Sequence, residues 1–180
     1  MAEWFKIIGL GVAGAIAYGI ALDNITARIC VEYFTIGHKP IFGTDNPTLL
    51  ALGWGVLASW WVGLGLGIYL AIACRAGRRP KLEAGDLSRP LGFLLVSMAA
   101  IALLAGLAGS FAAHRNWIWL SGPLADRVPT ERHAAFLADL WAHVASYGSA
   151  FVGGIALAVW ALIRRDRLAR ASKYPEPERI

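Results

Sequence analysis

Charge is what this chain has least of. Asp, Glu, Lys and Arg make up 16% of its 180 residues, where an ordinary soluble domain carries about 25%. The charges also avoid whole tracts: none falls within 7–22, 49–73, 91–113 or 144–163. A bilayer core about 30 Å thick is crossed by about 20 helical residues, so the last three tracts are long enough to span. The first becomes so if Trp4 and Phe5 join it and Lys6 snorkels to the interface. This excludes a typical soluble domain. Cysteine is scarce as well, with Cys30 and Cys74 alone. Neither belongs to a CxxC pair, which removes the usual redox and zinc motifs. The tract between them, rising about 1.5 Å per helical residue, holds them far beyond the roughly 7 Å limit for a disulfide. Catalytic signatures are missing too. There is no GxSxG, no HExxH and no pair of carboxylates on one helix, and no series of intramembrane acids or polar stripe of the kind a transporter or channel needs. An enzyme is not the expected reading.

What is present is a set of four apolar segments flanked by uneven charge. The fold expected is an all-α membrane protein: one four-helix transmembrane bundle over 1–171, with spans at about 4–22, 49–74, 90–113 and 137–163. Loops 23–48 and 114–135 fall on one side, and a mobile tail is expected over 172–180. Twelve basic residues cluster beside the opposite ends of the spans: Lys6, then Arg75, Arg78, Arg79, Lys81 and Arg89, then Arg164, Arg165, Arg167, Arg170, Lys173 and Arg179. The loop side has five, namely Arg28, Lys39, Arg115, Arg127 and Arg132. The positive-inside rule then puts both termini in the cytoplasm and the two longer loops outside. In a bacterium this is the inner membrane. Ala15-Ile16-Ala17 has the look of a signal-peptide cleavage site, but Glu3 and the even number of crossings favour an uncleaved first helix. The basic clusters face lipid headgroups; nucleic acid is not an expected partner.

Asn46 before Pro47 reads as the cap of the second span, and Gly77 with Pro80 as its stop. Asp86 or Ser88 is expected to cap the third span, with Pro90 in its first turn. Thr130 is expected to start a long fourth helix, running to about Arg165. From Ile25 to Ile36 apolar and polar residues alternate with a period of two. That predicts an extended, β-like outer cap between helices one and two, which Asn116–Leu120 could join as a hairpin. Small residues recur every fourth position: Gly11, Ala15 and Gly19; Gly55, Ser59, Gly63 and Gly67; Ala102, Gly106 and Ser110; Ala142, Ser146, Ala150 and Gly154. Such faces permit close helix approach in lipid and predict a tight bundle.

Gly9-x-Gly11-x-x-Gly14 matches a dinucleotide fingerprint, but it lies inside a span with no βαβ context, so no nucleotide is expected. Trp60 and Trp61 lie in the middle of span two, where tryptophan either packs against glycine-rich neighbours or lines a hydrophobic-ligand or quinone pocket. The loop side gathers every histidine: His38, His114, His133 and His143. Asp139, His143 and Tyr147 share one helical face, and an ionisable residue at the membrane boundary is a functional candidate by default. Arg28, Glu32 and Tyr33 form a polar set in the cap. His143, His38, Glu32, Asp139 and His114 together are a ligand set for a transition metal such as Zn, Cu or Fe, although no one segment carries metal spacing. The structural alternatives are an Asp139–His143 ion pair and an Arg28–Glu32 salt bridge.

The strings from Ile25 to His38 (ITARICVEYFTIGH), Asn46 to Gly55, Ser59 to Gly63 and Ala142 to Tyr147 (AHVASY) resemble segments of a group of small bacterial membrane proteins with four transmembrane helices. The resemblance covers about a quarter of the chain and implies the fold and a bacterial membrane location. It carries no activity, since the group has none established. Three functional readings follow from the residues. The first is a non-enzymatic interaction or accessory subunit whose outer cap binds a partner, another membrane protein or a second copy. The second is a metal-binding membrane protein. The third is a binder of a hydrophobic ligand or quinone.

Overall fold

The computed structural model describes residues 1–173 as seven α-helices and one 3₁₀ turn. Helix α1 runs over Ala2–Ile29 and the short α2 over Val31–Thr35. The second crossing is made of α3 (Pro47–Leu57) and α4 (Trp60–Arg75). Helix α5 covers Ala84–His114 and α6 Pro123–Arg127. A 3₁₀ turn at Thr130–Arg132 then leads into α7, His133–Lys173. Four of these segments are long and apolar enough to cross a membrane: Ala2–Ile29, Pro47–Arg75, Ala84–His114 and Thr130–Ser172. Val96, Leu104, Phe151 and Val152 are among the large apolar side chains left exposed, the arrangement expected where the surrounding solvent is lipid.

The small-residue stripes of the first two crossings interlock. A Cβ added to Gly63 would lie 2.7 Å from both the Ala15 Cβ and the Gly11 carbonyl. One added to Gly55 would lie 2.6 Å from the Ile20 backbone. Backbone therefore meets backbone along this seam, and only glycine allows it. The pairing of α5 with α7 is the other extensive contact, with Gly106 set against the Ala138 carbonyl and Gly109 against the Trp141 ring. Two apolar cores result. One, at the end where the arginines cluster, holds Ile7, Leu70, Cys74, Leu82, Leu87 and Ala161. The other, at the end where the histidines cluster, holds Ala27, Cys30, Tyr33, Phe34, Val128 and Phe136. Both cysteines are free and buried.

The extended cap expected between helices one and two is corrected: among the described residues there is no strand, and Ile25–Ile29 continues α1. The physical reason is the solvent. Asp23, Thr26, Ala27 and Cys30 are buried at helical spacing, while Ile25 is 62% exposed and Ile29 is exposed beside it. In lipid the aliphatic side chains face out and the polar and small ones face in, so a helix here reads as alternation. Asn116–Leu120 forms no hairpin; it packs Ile118 and Leu120 on the histidine-end core instead.

Other boundaries shift. Asn46 caps α3 as expected, its Oδ1 accepting from the Thr48 and Leu49 amides at 3.0 and 3.2 Å. The crossing it starts is broken at Ala58–Ser59 by a tightened turn, with the Ser59 amide donating to the Val56 carbonyl at 3.3 Å. Helix α5 starts earlier than expected. Glu83 and Asp86 form a reciprocal capping box, and Pro90 lies inside the helix rather than in its first turn. Helix α7 runs past Arg165 to Lys173, so Ser172 and Lys173 are helical. The remainder of the expected tail, 174–180, lies outside the described residues.

Candidate functional site

No helix stop stands between Leu22 and Ile29, so α1 carries Asp23 into the bundle, where it is buried. Helix α7 presents His143 opposite it, with Nε2 3.1 Å from Asp23 Oδ1. The other ring nitrogen, Nδ1, lies 2.7 Å from the Asp139 main-chain carbonyl. A carbonyl only accepts, so Nδ1 carries a hydrogen. Two forms remain for the Asp23 contact: an imidazolium facing a carboxylate, or a neutral ring accepting from a protonated carboxyl. Each holds one proton between the two groups and is neutral as a pair.

Aromatic rings enclose it. Tyr33, delivered by the short α2, stacks on His143 with centroids 4.6 Å apart, and Phe34 meets the same ring edge-on at 5.9 Å. His38 lies 5.0 Å from Tyr33 and 4.6 Å from Trp54. Its Nδ1 donates to the Tyr33 carbonyl at 2.9 Å. Below the pair, the Tyr18 hydroxyl donates to Ser146 Oγ at 2.8 Å, and Ser146 donates on to the Ala142 carbonyl at 2.8 Å. These groups form the polar end of a cavity of about 120 Å³ whose remaining walls are mostly leucine, alanine and glycine from α1, α4, α5 and α7. For scale, an engineered apolar cavity of about 150 Å³ in another protein accepts benzene.

The residues expected to hold a metal do not converge. Among the described residues no three His, Cys, Asp or Glu side chains are grouped to hold one. Glu32 Oε2 accepts from Arg132 Nε at 3.0 Å and from Cys30 Sγ at 3.3 Å. His114, at the exposed end of α5, donates Nδ1 to the Ser110 carbonyl at 2.8 Å. His133 is engaged by the Val128 carbonyl at 3.0 Å. The Asp139 side chain is buried with neither oxygen hydrogen-bonded, so the expected Asp139–His143 ion pair is replaced by His143–Asp23. The expected Arg28–Glu32 bridge is not formed either. Arg28 reaches Asn24 Oδ1 at 3.0 Å and Thr48 Oγ1 at 2.9 Å. Trp60 and Trp61 are 44% and 58% exposed and neither lines the cavity; Trp54 does.

Titration behaviour outside the spans follows from burial. Desolvation, with the hydrogen bond to Glu32 second, pushes the Cys30 thiol up to about 12. Burial also raises the Tyr33 phenol. For Glu32 burial pushes upward, but its own backbone N–H, Arg132 and Cys30 outweigh it and hold the carboxyl below its usual value.

Asp23, Tyr18, Ser146 and Trp54 were not singled out as a site by the sequence reading. The signal that could have found Asp23 is the lack of any glycine or proline from Leu22 to Ile36, which lets α1 continue past it. No protein-family model, no curated protein and no solved structure matches this chain.

Proposed function

We propose that this chain is a ligand-binding membrane protein whose cavity takes a lipid-soluble molecule with a ring-sized polar head, of the quinone or phenol class. The observation that carries the reading is the Asp23–His143 pair at the polar end of an otherwise apolar cavity. Ligand sites are typically of this kind, apolar with a few convergent polar groups. A carbonyl or hydroxyl on the head would exchange hydrogen bonds with the pair or with Tyr18 and Ser146, while Tyr33 and Trp54 offer ring faces. The site moves from Trp60 and Trp61, where the sequence suggested it, to the other side of the second crossing. Tyr33, His38, Trp54, Ser59 and His143 all line the cavity. No reaction is part of this reading.

The test is ligand-induced stabilisation of the protein in phosphatidylcholine nanodiscs, with decylubiquinone as probe. A ligand at about 100 times its Kd stabilises by about 2.7 kcal/mol. That gain is expected in wild type and in Trp60→Leu, and is expected to be lost in Asp23→Asn and His143→Phe. Equal stabilisation in all four proteins would overturn the reading. Docking of a partner or second copy at the histidine end is a second reading, favoured by the exposed Ile41, Phe42, Trp117 and Trp119. Cross-linking in native membranes tests it. Cytoplasmic termini are proposed from the basic clusters, and a bacterial inner membrane from the resemblance alone; accessibility of reporter fusions at each terminus tests the orientation.

A further inference from the structure

A second crevice lies on the other side of Tyr18 and Leu22, where α1 and α5 meet sparsely and α7 forms the floor. Its volume is about 280 Å³. Ile25, Leu103 and Leu107 form its sides, and Gly106, Ala138 and Ala142 keep its floor low. Tyr18, Thr26 and Ser110 bring hydroxyls to this lining, and Asp139 brings its one carboxyl. Asp139 is among the residues lining the crevice, is 1% exposed, and has no hydrogen-bond partner for either buried carboxyl oxygen. Three nearby donors, those of Thr26, Tyr18 and Arg132, are committed elsewhere. Thr26 donates to the Leu22 carbonyl at 3.2 Å, and Tyr18 donates to Ser146. Arg132, two turns earlier, donates to Glu32 and to the Ile29 carbonyl at 3.0 and 2.7 Å. Protonation does not relieve the carboxyl: the charged form needs donors and the neutral form still needs an acceptor for its O–H. Leaving either short in a buried site is costly.

The geometry points to a second ligand site here, for a single-chain amphiphile whose head donates hydrogen bonds to Asp139 while its chain fills the crevice. The volume favours a chain over a partner helix, since two turns of a helix about 10 Å wide occupy roughly 800 Å³. A primary ammonium is the strongest such head, because donor and acceptor are then both charged. The site is chemically distinct from the Asp23–His143 pair, in which the Asp23 carboxyl already faces His143 Nε2 at 3.1 Å. Asp139 is hydrogen-bonded to that pair through its main-chain carbonyl, which side-chain substitution retains.

The experiment titrates dodecylamine, 1-dodecanol, dodecyltrimethylammonium and dodecyl sulfate into the full-length protein in phosphatidylcholine nanodiscs. The trimethylammonium probe keeps the chain and charge of the amine but has no N–H. Dodecylamine is expected to bind about 10-fold or more tighter than dodecyltrimethylammonium, the factor a hydrogen bond to a charged group supplies. Dodecanol should fall between them and dodecyl sulfate should be weakest. Asp139→Asn and Asp139→Leu are each expected to abolish the preference for the amine while leaving decylubiquinone stabilisation unchanged. Asp139→Leu removes the unpaired oxygens, is expected to fold, and carries the test if the Asn variant does not. Equal affinity for the amine and its trimethyl analogue, or a preference that survives Asp139→Leu, overturns the site. Mass spectrometry of co-purified lipid distinguishes the source. An amine- or hydroxyl-headed lipid lost in Asp139→Leu assigns the site to the bilayer, and an unchanged lipid profile with the amine preference intact in wild type assigns it to a free amphiphile.

Discussion

Arg165 is buried to 2% exposure near the end of α7, and its guanidinium is spent on main-chain carbonyls of the α4–α5 connection. Nη1 donates to Ala73 at 2.5 Å, Nε to Pro80 at 2.8 Å, and Nη2 to Ala76 and Arg79 at 2.6 and 3.3 Å. Ala73 is in the last turn of α4 and Ala76 follows it, where carbonyls lack helical partners and the helix dipole presents negative charge. One side chain thus caps α4 and fixes the turn through Gly77, whose φ is 78°, against α7. Hydrogen bonds to a charged group contribute about 1.5–3 kcal/mol each. The three short ones give an upper sum of several kcal/mol, but in Arg165→Ala the carbonyls of the connection regain water. The net loss expected is therefore about 3–5 kcal/mol, the range for stripping a partner from a buried charged network. At about 2–4 °C per kcal/mol for a chain of this length, Tm falls by roughly 10 °C. Arg165→Lys keeps the charge but cannot fork across carbonyls on both sides of the turn, and is expected to fall in between. The assay is thermal exposure of Cys74, which is fully buried in the adjoining core, followed with a fluorogenic maleimide in a Cys30→Ser background. An Arg165→Ala protein melting within about 2 °C of its parent, with Cys74 still protected, would falsify this account.

Two further predictions concern packing and the histidine end. Gly63→Ala forces a Cβ to 2.7 Å from the Gly11 carbonyl and is expected to cost about 1–3 kcal/mol, whereas Gly65, with nothing within 4 Å, should accept alanine without loss; denaturant or thermal melts of the two proteins check this. Cys30, raised to about 12, should react with iodoacetamide at pH 8 on the order of 10³-fold more slowly than an ordinary thiol. Glu32→Gln should speed that reaction by loosening the contact. Glu32 has a lowered folded value, so its contribution to stability is present above its unfolded value and is lost as the pH falls through the folded one. The difference between Glu32→Gln and wild type should therefore shrink on acidification, and a difference independent of pH would show that the carboxylate does not stabilise the folded state.

The crossing helices were legible because apolar length without charge has few other uses, and the stripes at Gly11–Gly19 and Gly55–Gly67 were legible because close approach in lipid demands small residues. The Asn46–Pro47 helix start was equally plain, since its cap is local. The cap at Ile25–Ile36 was misread because alternation counts as a strand signal only where water lies on one side. With lipid outside, Ile25 and Ile29 face outward, and Asp23, Thr26 and Cys30 turn inward on a helix. His143 stood out as an ionisable residue near the membrane boundary, yet its partner did not, because Asp23 is 120 residues away and nothing local ties the two.

Composition and charge asymmetry alone thus determined that the chain carries four segments long and apolar enough to cross a membrane, with the histidines at one end and most of the basic residues at the other. Those properties depend on each segment's own transfer energy. Which polar groups meet was decided only by tertiary structure: Asp23 with His143, Glu32 with Arg132, Arg165 with the α4 carbonyls, and Asp139 with nothing. Inside lipid the net value of a polar contact rests on the few ångströms between its partners, and that separation is set by how the helices pack.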